Sequence, residues 1–166
     1  MKVVDNFLPK EQFEKLRDIC LGNSFPYYYI RTVNDNQKES DKKMFYFIHF
    51  FYKNGRGSSS EWYPMLHQTL LRKINYSFLI RAKANCYPRS DRKITHPKHL
   101  DYRDYKSPTK GLILSLNTCN GATILENGKE VKSVANRALF FNPSKPHAST
   151  NCTDQHARFN INVNYI

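Results

Sequence analysis

The spacing of apolar positions changes character near residue 76. In the stretch 76–87, Phe78, Ile80, Ala82, Ala84 and Cys86 fall on one side and Arg81, Lys83, Asn85 and Tyr87 on the other. That alternation predicts a strand with one face on a core and one polar face, ended by Pro88. Short strands are predicted after it at 111–117, 122–126, 130–134, 137–142, 147–150 and 158–165, with Asn127-Gly128 as a type I′ hairpin turn. The last of these alternates cleanly: Arg158, Asn160, Asn162 and Asn164 share one face, Phe159, Ile161, Val163 and Tyr165 the other.

Before residue 76 the pattern is mixed. Lys2 to Phe7 reads as a short strand. Phe13, Leu16, Ile19 and Cys20 recur at helical spacing between Pro9, a good first-turn residue, and the stop Gly22-Asn23. Phe25 to Val33 reads as an edge strand opened by Pro26, and Asn34 to Lys43 as a polar loop. Met44 to Tyr52 is the most apolar run and reads as a strand buried on both faces, with His49 as a core histidine. After the Gly55-Arg56-Gly57 loop, Ser58-x-x-Glu61 makes a capping box for a helix over 61–74, carried by Trp62, Met65, Leu66, Thr69, Leu70 and Ile74. The fold expected is mainly β with N-terminal helices: a double-stranded β-helix of about eight antiparallel strands, jelly roll and cupin-like. At 166 residues the chain reads as a single domain, an α/β support region over 1–75 and the β-helix core over 76–166.

Candidate chemistry centres on His99-Leu100-Asp101. On a strand, the period of two points His99 and Asp101 to one face, as two ligands of one metal require. Taken alone, the triplet also fits a surface turn. His147, held by Pro143 and Pro146 at the head of a late strand, supplies a third ligand. Arg158 follows eleven residues later, and a buried guanidinium calls for a carboxylate to pair with. His96 falls outside the triplet's spacing and reads as a bystander behind the ligands; His156 and Asp154 read as surface.

Net charge then widens the field of partners. It is +12, and Arg89, Arg92, Lys93, Lys98, Arg103, Lys106 and Lys110 outnumber Asp91, Asp101 and Asp104 around the triplet. Such a surface attracts an anionic substrate, an acidic protein or nucleic acid, and places substrate contacts in the two basic loops. Cys20, Cys86, Cys119 and Cys152 form no C-x-x-C pair, so neither a zinc knuckle nor a redox motif is readable, and reduced thiols in a cytoplasm are the simplest account. No run is long and apolar enough to span a membrane, and the start carries no signal peptide. The expectation is a soluble cytoplasmic protein, in the host's cytoplasm if the source is a virus.

The set His99-x-Asp101, His147 and Arg158 resembles the 2-oxoglutarate- and Fe(II)-dependent dioxygenase superfamily. Ala84-Asn85-Cys86-Tyr87-Pro88, Ser133-Val134-Ala135-Asn136-Arg137 and Pro146-His147-Ala148-Ser149-Thr150 are similar to the short oxygenases of marine bacteriophages, and Val4-Asp5-Asn6-Phe7-Leu8 to the start of prolyl-hydroxylase-like members. The resemblance covers residues 78–166 well and the first half loosely. It implies Fe(II) on His99, Asp101 and His147, and 2-oxoglutarate with its distal carboxylate on Arg158 and further contacts from Asn85, Tyr87 and Asn160. O2 is then the co-reactant, succinate and CO2 the products, and ascorbate an optional reductant.

The same resemblance bears on the kind of oxidation. Asn85-x-Tyr87 matches a motif of the dealkylase branch, but that branch's second arginine is Asn164 here, which weakens a claim of base dealkylation. The carboxylate of Asp101 argues against a halogenase. The expected activity is hydroxylation of a protein side chain, an amino acid or another small substrate. The alternatives are a non-enzymatic basic jelly-roll module binding nucleic acid, and a cupin-type enzyme working without 2-oxoglutarate.

Overall fold

The computed structural model describes residues 1–32, 44–54, 60–102 and 108–166. Its strands are β1 (Lys2–Val4), β2 (Tyr28–Ile30), β3 (Tyr46–Lys53), β4 (Leu79–Pro88), β5 (Lys110–Ser115), β6 (Ala122–Ile124), β7 (Glu130–Lys132), β8 (Ala138–Phe141), β9 (Ala148–Ser149) and β10 (Ala157–Tyr165). The helices are α1 (Lys10–Leu21) and α2 (Tyr63–Thr69), followed by a 3-10 turn, Leu71–Lys73. A seven-stranded sheet runs β1-β8-β5-β10-β4-β3-β2 and a three-stranded sheet runs β7-β6-β9, every pairing antiparallel. Two facing antiparallel sheets make the double-stranded β-helix expected from the sequence.

Alternation decides what each face meets. One face of the large sheet packs Ala82, Ala84, Leu112, Leu114, Ala138, Ile161 and Val163 against Phe13, Leu16 and Cys20 of α1 and Leu66, Leu70 and Leu71 of the α2 region. The opposite face looks into the space between the sheets, and that space is split. At the β5/β8 end Ile113, Val131, Leu139 and Phe141 fill it with hydrocarbon. At the β4/β10 end the same layer is polar, because Asn85, Arg158, Asn160, Asn162 and Asn164 are all buried there.

Several expected elements are adjusted, each for a local reason. The first strand stops at Val4, and Asn6 turns the chain with φ 50°. The strand expected over 25–33 shortens to Tyr28–Ile30 at the sheet's outer edge; Val33, like the 34–43 loop, lies outside the described residues, as does Ser58 of the capping box. Helix α2 has Trp62 at its N-cap without a side-chain cap, and the turn leading into it is held by Ser60, whose Oγ accepts from the Trp62 N–H at 3.0 Å. The helix expected over 61–74 ends at Thr69, where the Thr69 hydroxyl donates back to the Met65 carbonyl at 2.9 Å and the chain tightens into the 3-10 turn. His49 is the core histidine expected, its ring nitrogens 2.9 Å from the Pro26 carbonyl and 2.7 Å from the Ser60 hydroxyl.

The turn at Asn127-Gly128 is not type I′. That form needs positive φ at both central residues, and here only Gly128 has it, at +79°. The Leu125 carbonyl accepts from the Gly128 N–H at 2.9 Å and the Leu125 N–H donates to Lys129 at 3.0 Å. This is a three-residue loop, with the glycine in the left-handed bulge position.

Candidate metal and cosubstrate site

His99 lies on a single antiparallel bridge with His147 rather than on a continuous strand. The two residues exchange both backbone hydrogen bonds, at 2.9 and 3.0 Å, and the Asp101 N–H donates to the Pro143 carbonyl at 2.9 Å. Pro97 and Pro146 offer no N–H, which interrupts the ladder beside this pair; it resumes where the His96 N–H donates to the Ser149 carbonyl at 2.9 Å and at the Thr95–Thr150 bridge. The bridge still does what a strand would do, setting His99 and Asp101 on one side and bringing His147 across to meet them. Ligand atoms of His99, Asp101 and His147 lie within 4.8 Å of one another, a set that can hold a metal ion.

Both rings are prepared for that role by their own backbone. His99 Nδ1 lies 3.4 Å from the Pro97 carbonyl and His147 Nδ1 3.0 Å from the Lys145 carbonyl. A carbonyl only accepts, so the proton sits on Nδ1 and the Nε2 lone pair is left for a cation. The Nε2 atoms stand 3.7 and 3.8 Å from the two oxygens of Asp101. Burial, together with the neighbouring His147, pushes His99 down to about 4, so its ring is neutral near pH 7.

The Asp101 side chain is 4% exposed. Burial alone would raise its pKa, but Arg81 and the other cationic groups around it outweigh burial and hold it well below the usual carboxylate range. Arg81 Nη2 donates to Oδ1 at 2.9 Å, and Asn164 and Asn162 donate to Oδ2 at 3.0 and 3.3 Å. Arg81 also donates to Asn164 Oδ1 at 2.8 Å, its register partner across β4 and β10.

Arg158 closes the other end of the polar layer. It is 1% exposed, and its Nη atoms donate to the Thr150 carbonyl at 3.1 Å and the Thr123 hydroxyl at 2.9 Å. Both partners are neutral, its Nε has none, and burial lowers its pKa. The guanidinium lies over the Tyr87 ring at 5.7 Å, and Tyr87 stacks with Tyr46 at 5.4 Å and with His96 at 5.3 Å. Asn85 donates to Asn160 Oδ1 at 2.8 Å.

The sequence-predicted residues His99, His147, Asn85, Tyr87, Arg158 and Asn160 line one narrow cleft of about 30 Å³. Among the described residues, buried side-chain polar atoms of Arg81, Asn85, Arg158 and Asn162 in this layer have no partner, leaving hydrogen-bonding capacity that a polar guest can meet. A larger hollow of about 320 Å³, lined by Leu125, Phe141 and Pro146, shares His147 with the cleft.

Some participants were not singled out from sequence. Lys83 and Tyr46 line the cleft, and Lys83 Nζ lies 3.4 Å from the Tyr46 hydroxyl. Burial, then the adjacent Arg81, pushes Lys83 down to about 7. The signal for Arg81 and Lys83 was present, since alternation already placed both on the face of Asn85 and Tyr87. His96 stays outside the triad, buried with Nδ1 2.8 Å from the Ser149 hydroxyl. His156 and Asp154 are at the surface. Of the basic loops, Arg89, Arg92, Lys93 and Lys98 are exposed, whereas Arg103, Asp104 and Lys106 lie outside the described residues.

No family model matches the sequence, and no curated protein matches it. Solved structures do resemble the fold. A 2-oxoglutarate/Fe(II) oxygenase-family oxidoreductase from Burkholderia pseudomallei superposes with a TM-score of 0.68 at 8% identity, over 98% of this chain and 82% of its own. The prolyl hydroxylase of Trichoplax adhaerens, solved with a peptide fragment of the hypoxia inducible factor oxygen degradation domain, gives 0.66 at 19% identity, over 99% and 82%. HygX from Streptomyces hygroscopicus, solved with nickel and 2-oxoglutarate bound, gives 0.62 at 10% identity, over 98% and 81%. The chain has the double-stranded β-helix fold that these oxygenases share.

Proposed function

We propose that the protein is an Fe(II)- and 2-oxoglutarate-dependent hydroxylase. One observation carries the reading: a two-histidine, one-carboxylate set and a buried arginine bonded only to neutral groups open onto the same polar layer. When bound, the metal and cosubstrate supply oxidation of a C–H bond by O2, coupled to decarboxylation of 2-oxoglutarate to succinate and CO2.

The chain's own residues account for the rest. His99 and His147 present Nε2 because their Nδ1 protons are held by Pro97 and Lys145. Asp101 stays ionised because Arg81 compensates it. Arg158 receives the distal carboxylate in charge-assisted hydrogen bonds, with Tyr87 as a flat wall and Asn85 and Asn160 as polar contacts. The cleft is narrow, so the five-carbon diacid enters as side chains lining it give way. The prime substrate is a protein side chain, an amino acid or another small molecule. The peptide-bound Trichoplax neighbour favours a peptide, and the +12 surface favours an anionic one. The nucleic-acid-binding module gains no support from the comparisons.

The test is anaerobic addition of Fe(II) and 2-oxoglutarate, followed by O2. A weak visible absorption band and slow succinate formation are expected, both lost in His99→Ala. Protein that binds neither iron nor 2-oxoglutarate overturns the reading. A mass-spectrometric screen for a 16 Da gain over peptide, amino-acid and nucleotide pools then identifies the substrate.

A further inference from the structure

Cys119 and Cys152 show no motif in the sequence, yet the fold brings them together. Their sulfurs and a carboxylate oxygen of Asp154 lie within 4.8 Å of one another. Both thiols are buried, at 6% and 0% exposure, while Asp154 reaches solvent. The segments carrying them are stitched by hydrogen bonds. The Thr150 N–H donates to the Ala122 carbonyl at 3.0 Å, and the Ala122 N–H to the Thr150 hydroxyl at 2.8 Å. The Thr153 N–H donates to Asn120 Oδ1 at 3.0 Å, and the Asn120 N–H to the Asp154 carboxylate at 3.0 Å. Gly121 lets the segments meet this closely, since a Cβ there would fall 2.6 Å from the Asn151 carbonyl oxygen. The three donor groups are therefore positioned by the fold itself.

We propose that Cys119, Cys152 and Asp154 form a second metal site, separate from His99, Asp101 and His147, that takes a thiophilic divalent cation of the zinc type. Zinc bonds of about 2.3 Å to sulfur and about 2.1 Å to oxygen in tetrahedral geometry put donors roughly 3.5 to 3.8 Å apart. From the observed arrangement, in which all three donors lie within 4.8 Å of one another, the side chains would have to draw in to that spacing. Three protein donors leave a fourth position for water on the exposed Asp154 side. Donor chemistry divides the two sites: paired thiolates select a soft or borderline cation, while two imidazoles with a carboxylate suit iron or manganese.

The location gives the site a consequence. The same two segments carry Thr150, whose carbonyl accepts from Arg158, and Gly121, which packs on the Arg158 side chain. A cation clamping them fixes the wall against which Arg158 is set.

The experiment titrates reduced, metal-free, full-length protein with Co2+ under anaerobic conditions. A thiolate-to-cobalt charge-transfer band in the near ultraviolet is expected in the wild type and in His99→Ala, and it should disappear in Cys119→Ser and Cys152→Ser. Two cobalt ions should bind per wild-type chain, and one in His99→Ala. Surface-placed Asp154→Asn, which keeps an oxygen for the Asn120 N–H, should retain the band with cobalt affinity at least tenfold weaker, so the proposal does not depend on the buried variants folding. A wild type without the band, or a band that survives both serine substitutions, overturns it, as does unchanged affinity in Asp154→Asn. Loss of iron binding with the band intact would instead overturn only the hydroxylase reading.

Discussion

Arg81→Met isolates the electrostatics of the proposed iron site. The Arg81–Asp101 pair is buried, with side-chain exposures of 15% and 4% and an N–O distance of 2.9 Å. Removing the guanidinium leaves the buried carboxylate with the amides of Asn162 and Asn164 as its remaining side-chain hydrogen-bond donors, and breaking one side of such a pair costs about 3 to 5 kcal/mol. For a chain of this size, at roughly 2 to 4 °C per kcal/mol, the metal-free protein should melt about 6 to 20 °C lower. A bound dication neutralises the same carboxylate, so the penalty should shrink when metal is present. By linkage, a penalty smaller by about 1.4 kcal/mol means a Kd about tenfold tighter. The assay is urea unfolding of wild type and variant with chelator and with saturating Mn2+, which favours the oxygen and nitrogen donors over the cysteine cluster, together with calorimetric Mn2+ titration. A metal-free loss below about 1 kcal/mol, or Mn2+ binding weaker in the variant than in the wild type, would refute the reasoning; the second would mean that Arg81 serves the metal by orienting Asp101.

Two further outcomes follow from the same layer. Burial, then the neighbouring Arg158, pushes His96 down to about 4; because the unfolded ring titrates near 6.5, the folded state binds fewer protons between those values. Stability from the neutral ring is whole above pH 6.5 and is lost as pH falls toward 4, so between pH 7 and 4.5 the wild type should lose about 2 to 3 kcal/mol more than His96→Gln. Equal losses in urea unfolding would disprove this. Gly121→Ala places a methyl 2.6 Å from the Asn151 carbonyl oxygen and 2.7 Å from Arg158 Cδ. It should destabilise by about 1 to 3 kcal/mol and weaken 2-oxoglutarate binding, read as a reduced thermal shift with the cosubstrate.

What could be read from the chain was whatever a local period encodes. The two-residue alternation of β4 and β10 placed Asn85, Tyr87, Arg158 and Asn160 on the cleft side, and the fold keeps every one of them there. Arg81 was on the right face too, but its partner was invisible, because the contact with Asp101 depends on where the chain after Pro97 crosses the sheet. The register of β10 against β4 sets Asn164 opposite Arg81, so the position that lacks the dealkylase arginine lies beside a guanidinium from the neighbouring strand. Dihedral detail was equally out of reach at Asn127-Gly128, where two turn types share one dipeptide. Cys119 and Cys152 are the extreme case, since residues 33 apart carry no spacing signal and meet only through the pairing of their loops.

Charge explains why the layer between the sheets is built this way. Arg81, Lys83 and Arg158 enter it from β4 and β10; Asp101 faces Arg81 and Lys83, while no described carboxylate pairs with Arg158. Three cationic groups against one anion is a costly arrangement in a buried layer, and the protein shows the strain electrostatically: Lys83 is pushed down to about 7 and Arg158 is lowered by burial. A hydrocarbon filling like that of Ile113, Leu139 and Phe141 at the other end of the same space would have been more stable. On the proposed reading the excess positive charge is the means of selection. A diacid brings two negative charges to a layer that lacks them, and a monoacid of the same length leaves Arg158 with only the Thr123 hydroxyl and the Thr150 carbonyl. Discrimination between the two therefore rests on Arg158 and its burial, which is why the fold places it at 1% exposure rather than at the mouth of the cleft.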